Sequence, residues 1–225
     1  MMVTINYTRS SNFYNLRIFL NISSKIMKVF FTILFLILSL QSLVKADDIN
    51  EFEIEGISVG DSLLDHFSKD EIDNARKHQY TPSAKYPNTK FLIVRLQSYK
   101  NLEMYEQLSF TILKNDEEKI IHSVEGFIYY EKNIKECSKF KDEIVIELKN
   151  YINDENVKSY NSRAKHMQDE SGKSIVEETI FLFPSEAVFR VSCTDWSEEM
   201  KFRDELRVVI NSVKFSNYLR SLWSE

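Results

Sequence analysis

The sequence predicts an α+β fold: an antiparallel sheet of about six strands with helices on one face. Three observations carry this expectation. Runs at 91–98, 106–113, 119–130, 175–183, 187–194 and 205–211 have the composition of strands, and in the second Leu108, Phe110 and Ile112 alternate with Gln107, Ser109 and Thr111. The runs fall into two consecutive groups, as antiparallel strands do. Segments with apolar residues at helical spacing precede, separate and follow the groups. The order is compatible with a duplicated helix plus three-stranded meander, although no residue-level repeat is visible.

The chain opens on an expected address. Met27-Lys28, an apolar run over 29–40, and small residues Val44 and Ala46 before Asp47 have the pattern of a secretory signal peptide. The expected organisation is an upstream extension or long n-region over 1–26, a signal peptide over 27–46, and a single α+β domain over 47–225. The apolar run is shorter than the ~20 residues of a comfortable membrane span, so cleavage is preferred over a retained anchor. Export implies a periplasmic or secreted location in an oxidising compartment.

Within the domain, 51–58 is a lead-in. Asp61 suits the cap of a helix over 62–67, and Ser68 with Glu71 forms a capping-box pattern for a second helix reaching about residue 78. Pro82 and Pro87 mark 81–90 as a loop. Asn115-Asp116-Glu117-Glu118 turns the second strand into the third. A long helix is expected over 133–152, with Ile134, Cys137, Ile144, Leu148, Tyr151 and Ile152 along one side. The polar segment 153–174 reads as a long loop. Pro184-Ser185-Glu186 turns the next strand pair, and Phe215, Tyr218, Leu219, Leu222 and Trp223 give the last helix, at about 213–223, its apolar side.

Composition narrows the partners. Residues 1–46 hold five basic residues and no acid, which leaves 24 basic and 34 acidic residues in 47–225. A domain near −10 is a poor match for nucleic acid or an anionic membrane surface. Membrane contact is expected only through an uncleaved signal segment.

Cys137 and Cys193 are the two cysteines. Cys137 falls on the apolar side of the long helix, and Cys193 shares a strand face with Ala187, Phe189 and Val191. A disulfide joining helix to sheet is the preferred reading, with buried thiols or a redox pair as alternatives; there is no C-x-x-C.

Three segments, Glu51 to Ile72 (EFEIEGISVGDSLLDHFSKDEI), Phe127 to Cys137 (FIYYEKNIKEC) and Val191 to Met200 (VSCTDWSEEM), resemble a group of small secreted proteins of marine bacteria with no assigned activity. The resemblance covers most of 47–225 and supplies no catalytic residues. Gly56-Ile57-Ser58-Val59-Gly60-Asp61 followed by two short helices is faintly similar to periplasmic domains of the β-lactamase-inhibitor-protein kind, which implies a helix pair before an antiparallel sheet.

Candidate chemistry is sparse. Ser171-Gly172-Lys173-Ser174 lacks the first glycine and the preceding strand of a phosphate loop. His66, His78, His122 and His166 have no zinc-ligand spacing, and the acidic runs at 116–118 and 153–156 lack the ligand spacing of a calcium loop, so neither a metal nor a cofactor is expected. His66 beside Asp65 would be an oriented base only if both pointed one way, which neighbouring helix residues do not. Trp196 reads as core packing or as a recognition aromatic. Lys158, Arg163, Lys165 and His166 form a basic cluster on an acidic domain; Arg163, Lys165 and His166 are the expected ligand-binding residues, against the alternative of a solvated loop.

The expected function is therefore a secreted or periplasmic, disulfide-stabilised binding module for a protein or small ligand. The alternatives are a hydrolase-like enzyme using His66, His122 or His166 as base, and an envelope structural factor.

Overall fold

In a computed structural model, which describes residues 48–79, 89–96, 102–152 and 154–223, the chain builds one antiparallel sheet from two meanders. The first comprises β1 (Arg76–Gln79), β2 (Phe91–Leu96), β3 (Gln107–Leu113) and β4 (Ile121–Tyr130). The second comprises β5 (Lys158–Lys165), β6 (Ile175–Leu182), β7 (Val188–Asp195) and β8 (Asp204–Asn211). Helices α1 (Leu63–His66) and α2 (Lys69–Asn74) precede the first meander, α3 (Ile134–Tyr151) links the two, and α4 (Val213–Trp223) follows the second. The strand order is β1-β2-β3-β4-β8-β7-β6-β5, so the last strand of each meander pairs with the other. The expected signal peptide and the extension before it lie outside the described residues.

Among the described residues the sheet has eight strands, against an expected six. The two additions are its edges. β1 occupies residues expected to end a helix: α2 stops at Asn74, Ala75 is already extended, and Arg76 pairs with Arg95. β5 lies in the segment expected to be a loop, and all eight of its residues are exposed. An edge strand exposed on both faces, as β5 is, needs no apolar alternation, and neither RKHQ nor KSYNSRAK carries one. Each four-stranded meander is followed by a helix, α3 after the first and α4 after the second.

Antiparallel partners share a face, so the register sorts the side chains. One face carries Val94, Phe110, Val124, Ile210 and Phe189 in a single cross-strand row. Against it pack α1 and α2, through Phe67 on Phe110, and α3. This is the main core. Helix α4 is on the other side: its Phe215 and Tyr218 meet Phe91, whose parity in β2 is opposite to that of Val94, with both ring centroids 4.9 Å away. The expectation that all helices lie on one face therefore holds for α1 to α3 and not for α4.

The lead-in is tied down at several points. Glu55 and Gly56, both at positive φ, form a two-residue turn between the bridged residues Ile54 and Ile57. The Glu55 carboxylate accepts the backbone N–H groups of Glu103, Met104 and Tyr105 at 2.9–3.1 Å. That positions the Tyr105 ring on Gly126 of β4, where a Cβ would lie 2.5 Å from Tyr105 Cδ1. Phe52 makes edge contacts with Tyr151, Phe183 and Phe189, connecting the lead-in to α3 and the second meander. Ser68 and Glu71 close the expected capping box of α2. Ser62 rather than Asp61 caps α1.

Cys137 of α3 and Cys193 of β7 are joined, with Cα atoms 6.0 Å apart and a sequence separation of 56. Both are fully buried. Helix α3 thus lies on the second meander, fixed by the bridge and by its buried Ile144, Val145 and Leu148.

Two stability outcomes follow. Replacing both cysteines by alanine is expected to cost about 4 kcal/mol, the chain entropy released by opening a loop of this size, read as a fall in the urea midpoint under non-reducing conditions. Gly126→Ala is expected to cost roughly 1–3 kcal/mol, because the Tyr105 ring held through Glu55 has to move. A Gly126→Ala protein as stable as the parent would show that Tyr105 is free to shift.

Candidate functional site

The face of the sheet opposite the main core is polar across its middle, and α4 is the described helix that packs on it, at the Phe91 end. That end is an aromatic group of Phe91, Phe215, Tyr218 and His122. At the opposite end of the strands, and toward the other edge, Trp196 packs between His166 and Phe202, with centroids 4.2 and 5.0 Å away. Between the two groups lies the candidate site.

The register builds it strand by strand. Across β2, β3 and β4, Arg95, Ser109 and Glu125 stand side by side. One step along, Gln107, Phe127, Arg207 and Ser192 form the next row. Arg207 donates to Glu205 at 2.9 Å and lies 4.8 Å over the Phe127 ring, while Arg190 reaches Glu178 at 3.8 Å. Burial opposes the charge of Arg207, but Glu125 and Glu205 outweigh it and hold the guanidinium above its ordinary pKa. Tyr129 is raised by burial and then by Glu205, and the Arg203 guanidinium covers its ring at 4.0 Å. Three arginines and three glutamates thus share one half-buried surface, floored by small hydroxyl residues: Ser109, Thr111, Ser123, Ser192 and Thr194 are all buried.

The surface offers paired charges, hydroxyls and aromatic faces. Among the described residues no group of three or more histidine, cysteine or acidic side chains is placed to hold a metal ion. No described helix is long and apolar enough to cross a membrane.

The residues singled out from sequence separate. Arg163 lies on the edge strand in an ion pair with Glu177 at 2.7 Å, and Lys165 packs beside Gly172. His166 turns to the other face, where its Nδ1 accepts the Gln168 N–H at 3.2 Å; burial, then Arg207, lower its pKa. Trp196 is packed rather than exposed, at 5%.

His66 and His122 have structural partners. His66 meets Asp61 at 3.1 Å, not its neighbour Asp65, and the same Asp61 oxygen accepts the Ser58 N–H. His122 lies 3.3 Å from the Ser212 hydroxyl, but that oxygen already accepts the Phe215 N–H at the start of α4. Burial, then Lys214, lower the His122 pKa.

The segment Ser171-Gly172-Lys173-Ser174 folds around an internal anion. Asp169 accepts the Ser171 and Ser174 N–H groups at 2.9 and 2.8 Å, and the Ser174 and Ser197 hydroxyls at 2.6 and 2.9 Å. The amides that would cradle a phosphate are already engaged: Ser171 and Ser174 on this carboxylate, Gly172 on the Asp169 backbone carbonyl and Lys173 on Ser171 Oγ. Ser197, at the start of the 3₁₀ turn Glu198–Met200, is thereby tied to the turn after β5.

The Ser174 and Ser171 bonds hold the Asp169 carboxyl well below the usual carboxylate range. A depressed folded pKa means that its contribution to stability is present above the unfolded value of about 3.9 and is lost as pH falls through the folded one. Asp169→Asn is therefore expected to lower Tm by a constant amount from pH 5 to 8, with the difference from the parent shrinking progressively below about pH 4. A difference that stays constant into acid would assign the loss to geometry rather than charge.

Comparison with protein-family models, curated proteins and solved structures finds no match to this chain, so its functional reading rests on the geometry above.

Proposed function

We propose that the protein is a disulfide-stabilised, non-catalytic binding module of the periplasm or extracellular space, and that its ligand meets the polar face of the sheet. One observation carries the proposal: the middle of that face gathers charged, hydroxyl and aromatic side chains from β2, β3, β4, β8 and β7 into one half-buried surface beside an otherwise conventional apolar core. Burying charge and hydroxyl groups costs stability, and a soluble sheet needing only solubility would leave such groups fully hydrated. The disulfide is compatible with an oxidising compartment. Secretion and the nature of the ligand belong to the proposal.

The test is a thermal-shift screen of the purified protein against small organic solutes and peptides. A true ligand at 100-fold excess over its Kd is expected to add about 2.7 kcal/mol, roughly 5–10 °C for a domain of this size. Replacing both Arg95 and Arg207 on the polar face by Ala is expected to abolish the shift, and Lys165→Ala on the edge strand is expected to keep it. A ligand whose effect survives loss of both arginines, or one that the protein chemically converts, would overturn the proposal.

A further inference from the structure

We infer that the polar face carries an anchoring site for a small monocarboxylate, made by the Arg95 guanidinium with the Ser109 hydroxyl. This rests on the reading of that face as the ligand surface and names the chemistry it takes.

Of the three arginines on these strands, Arg190 pairs with Glu178 and Arg207 with Glu205. The Nε atoms of Arg95 and Arg190 are both buried without a partner, but the Arg95 guanidinium makes no ion pair with a described residue. Ser109, directly opposite it on β3, is 1% exposed, and its Oγ is also buried without a partner. Side chains of directly opposed residues start about 5 Å apart, so the two donors serve one small region. An unsatisfied buried polar group is costly and uncommon in native structures, and two beside each other mark a place where an acceptor belongs. Glu125, the next residue in the row, hydrogen-bonds to neither.

Charge sets the ligand class. One free guanidinium matches one carboxylate, whose two oxygens fit the planar fork. A phosphate dianion needs a second cation, and here the next charge in the row is the negative Glu125, about 10 Å away across two strand spacings. The adjoining position on β2 along the same face is half-buried Ile93, opposite Thr111, which offers an apolar strip leading toward Phe91. The fitting ligand is a monocarboxylate with a short hydrocarbon body.

The experiment is a titration of the ¹⁵N-labelled purified protein followed by NMR, with butyrate and hexanoate as probes and inorganic phosphate and hexylamine as controls. The carboxylates are expected to shift the Ser109 amide and the Arg95 Nε–H saturably, with hexanoate binding more tightly than butyrate. Arg95→Gln is expected to weaken binding at least tenfold and Ser109→Ala roughly three- to tenfold. Arg95→Lys, which keeps the charge and loses the fork, provides a second variant should Arg95→Gln misfold; it is expected to fall between them. Binding unchanged in the Arg95 variants, or phosphate binding as well as hexanoate, would overturn the anchor. Saturable shifts around Arg207 and Glu205 that spare Arg95 and Ser109 would overturn it while leaving the ligand face intact. No saturable shift anywhere on the face would count against both.

Discussion

The pairing of β4 with β8 runs over eight residues, from Ser123 opposite Asn211 to Tyr130 opposite Asp204. Each meander alone is a four-stranded sheet with two edges. Joining them at their last strands removes one edge from each and makes both faces continuous across the molecule. On one face this lets Phe110, Val124, Ile210 and Phe189 lie in one row, so helices from two parts of the chain can share a core. On the other it sets Glu125 of the first meander beside Val209 and, one row along, Phe127 beside Arg207 of the second. Neither the core nor the polar surface exists in either half alone.

The disulfide acts on this arrangement rather than creating it. Helix α3 leaves the first meander at Tyr130 and must cross to the second. Its apolar side would hold it there by burial, and the Cys137–Cys193 bond fixes which stretch of β7 it meets. The Glu55 carboxylate does similar work in the first meander, where three backbone N–H groups lock the approach to β3. Both devices hold segments whose own contacts are few, and both leave the polar face untouched. That separation allows the face to carry charged and hydroxyl groups while stability is supplied from the other side.

Much of the core was legible because its signals are periodic. The six central strands, α3, the capping box at Ser68 and the cysteine pair all follow from alternation, helical spacing or local hydrogen-bond chemistry. The edges were not, because the sequences Lys158–Lys165 and Arg76–Gln79 carry no apolar alternation and pair with a single neighbour each. The candidate site was hidden for another reason. Alternation places Ser109 on one side of β3, but only the strand order and register set Arg95 and Glu125 beside it. The nearest readable signal was the regular substitution of small polar residues for apolar ones on one side of β3 and β7. The basic cluster at Arg163, Lys165 and His166 was read as one unit because it is contiguous in sequence; strand geometry sends His166 to the face opposite Arg163.

The perturbed ionisable groups help to weigh binding against catalysis. An active site gathers groups with displaced pKa values into one cleft. Here Tyr129, His166 and Arg207 are displaced on the polar face through burial and one another's neighbours, while the remaining displacements lie elsewhere with local causes. Asp169 is depressed by the serines of its turn, whereas Asp204 is raised by burial, partly offset by the Trp196 N–H it accepts. Tyr105 is raised by burial beside Glu55, and His122 is lowered by burial beneath α4. On the polar face the shift at Arg207 runs toward a more firmly fixed charge, away from the range in which a proton is exchanged at neutral pH. A guanidinium fixed in its charge is what the proposed binding role asks of this face.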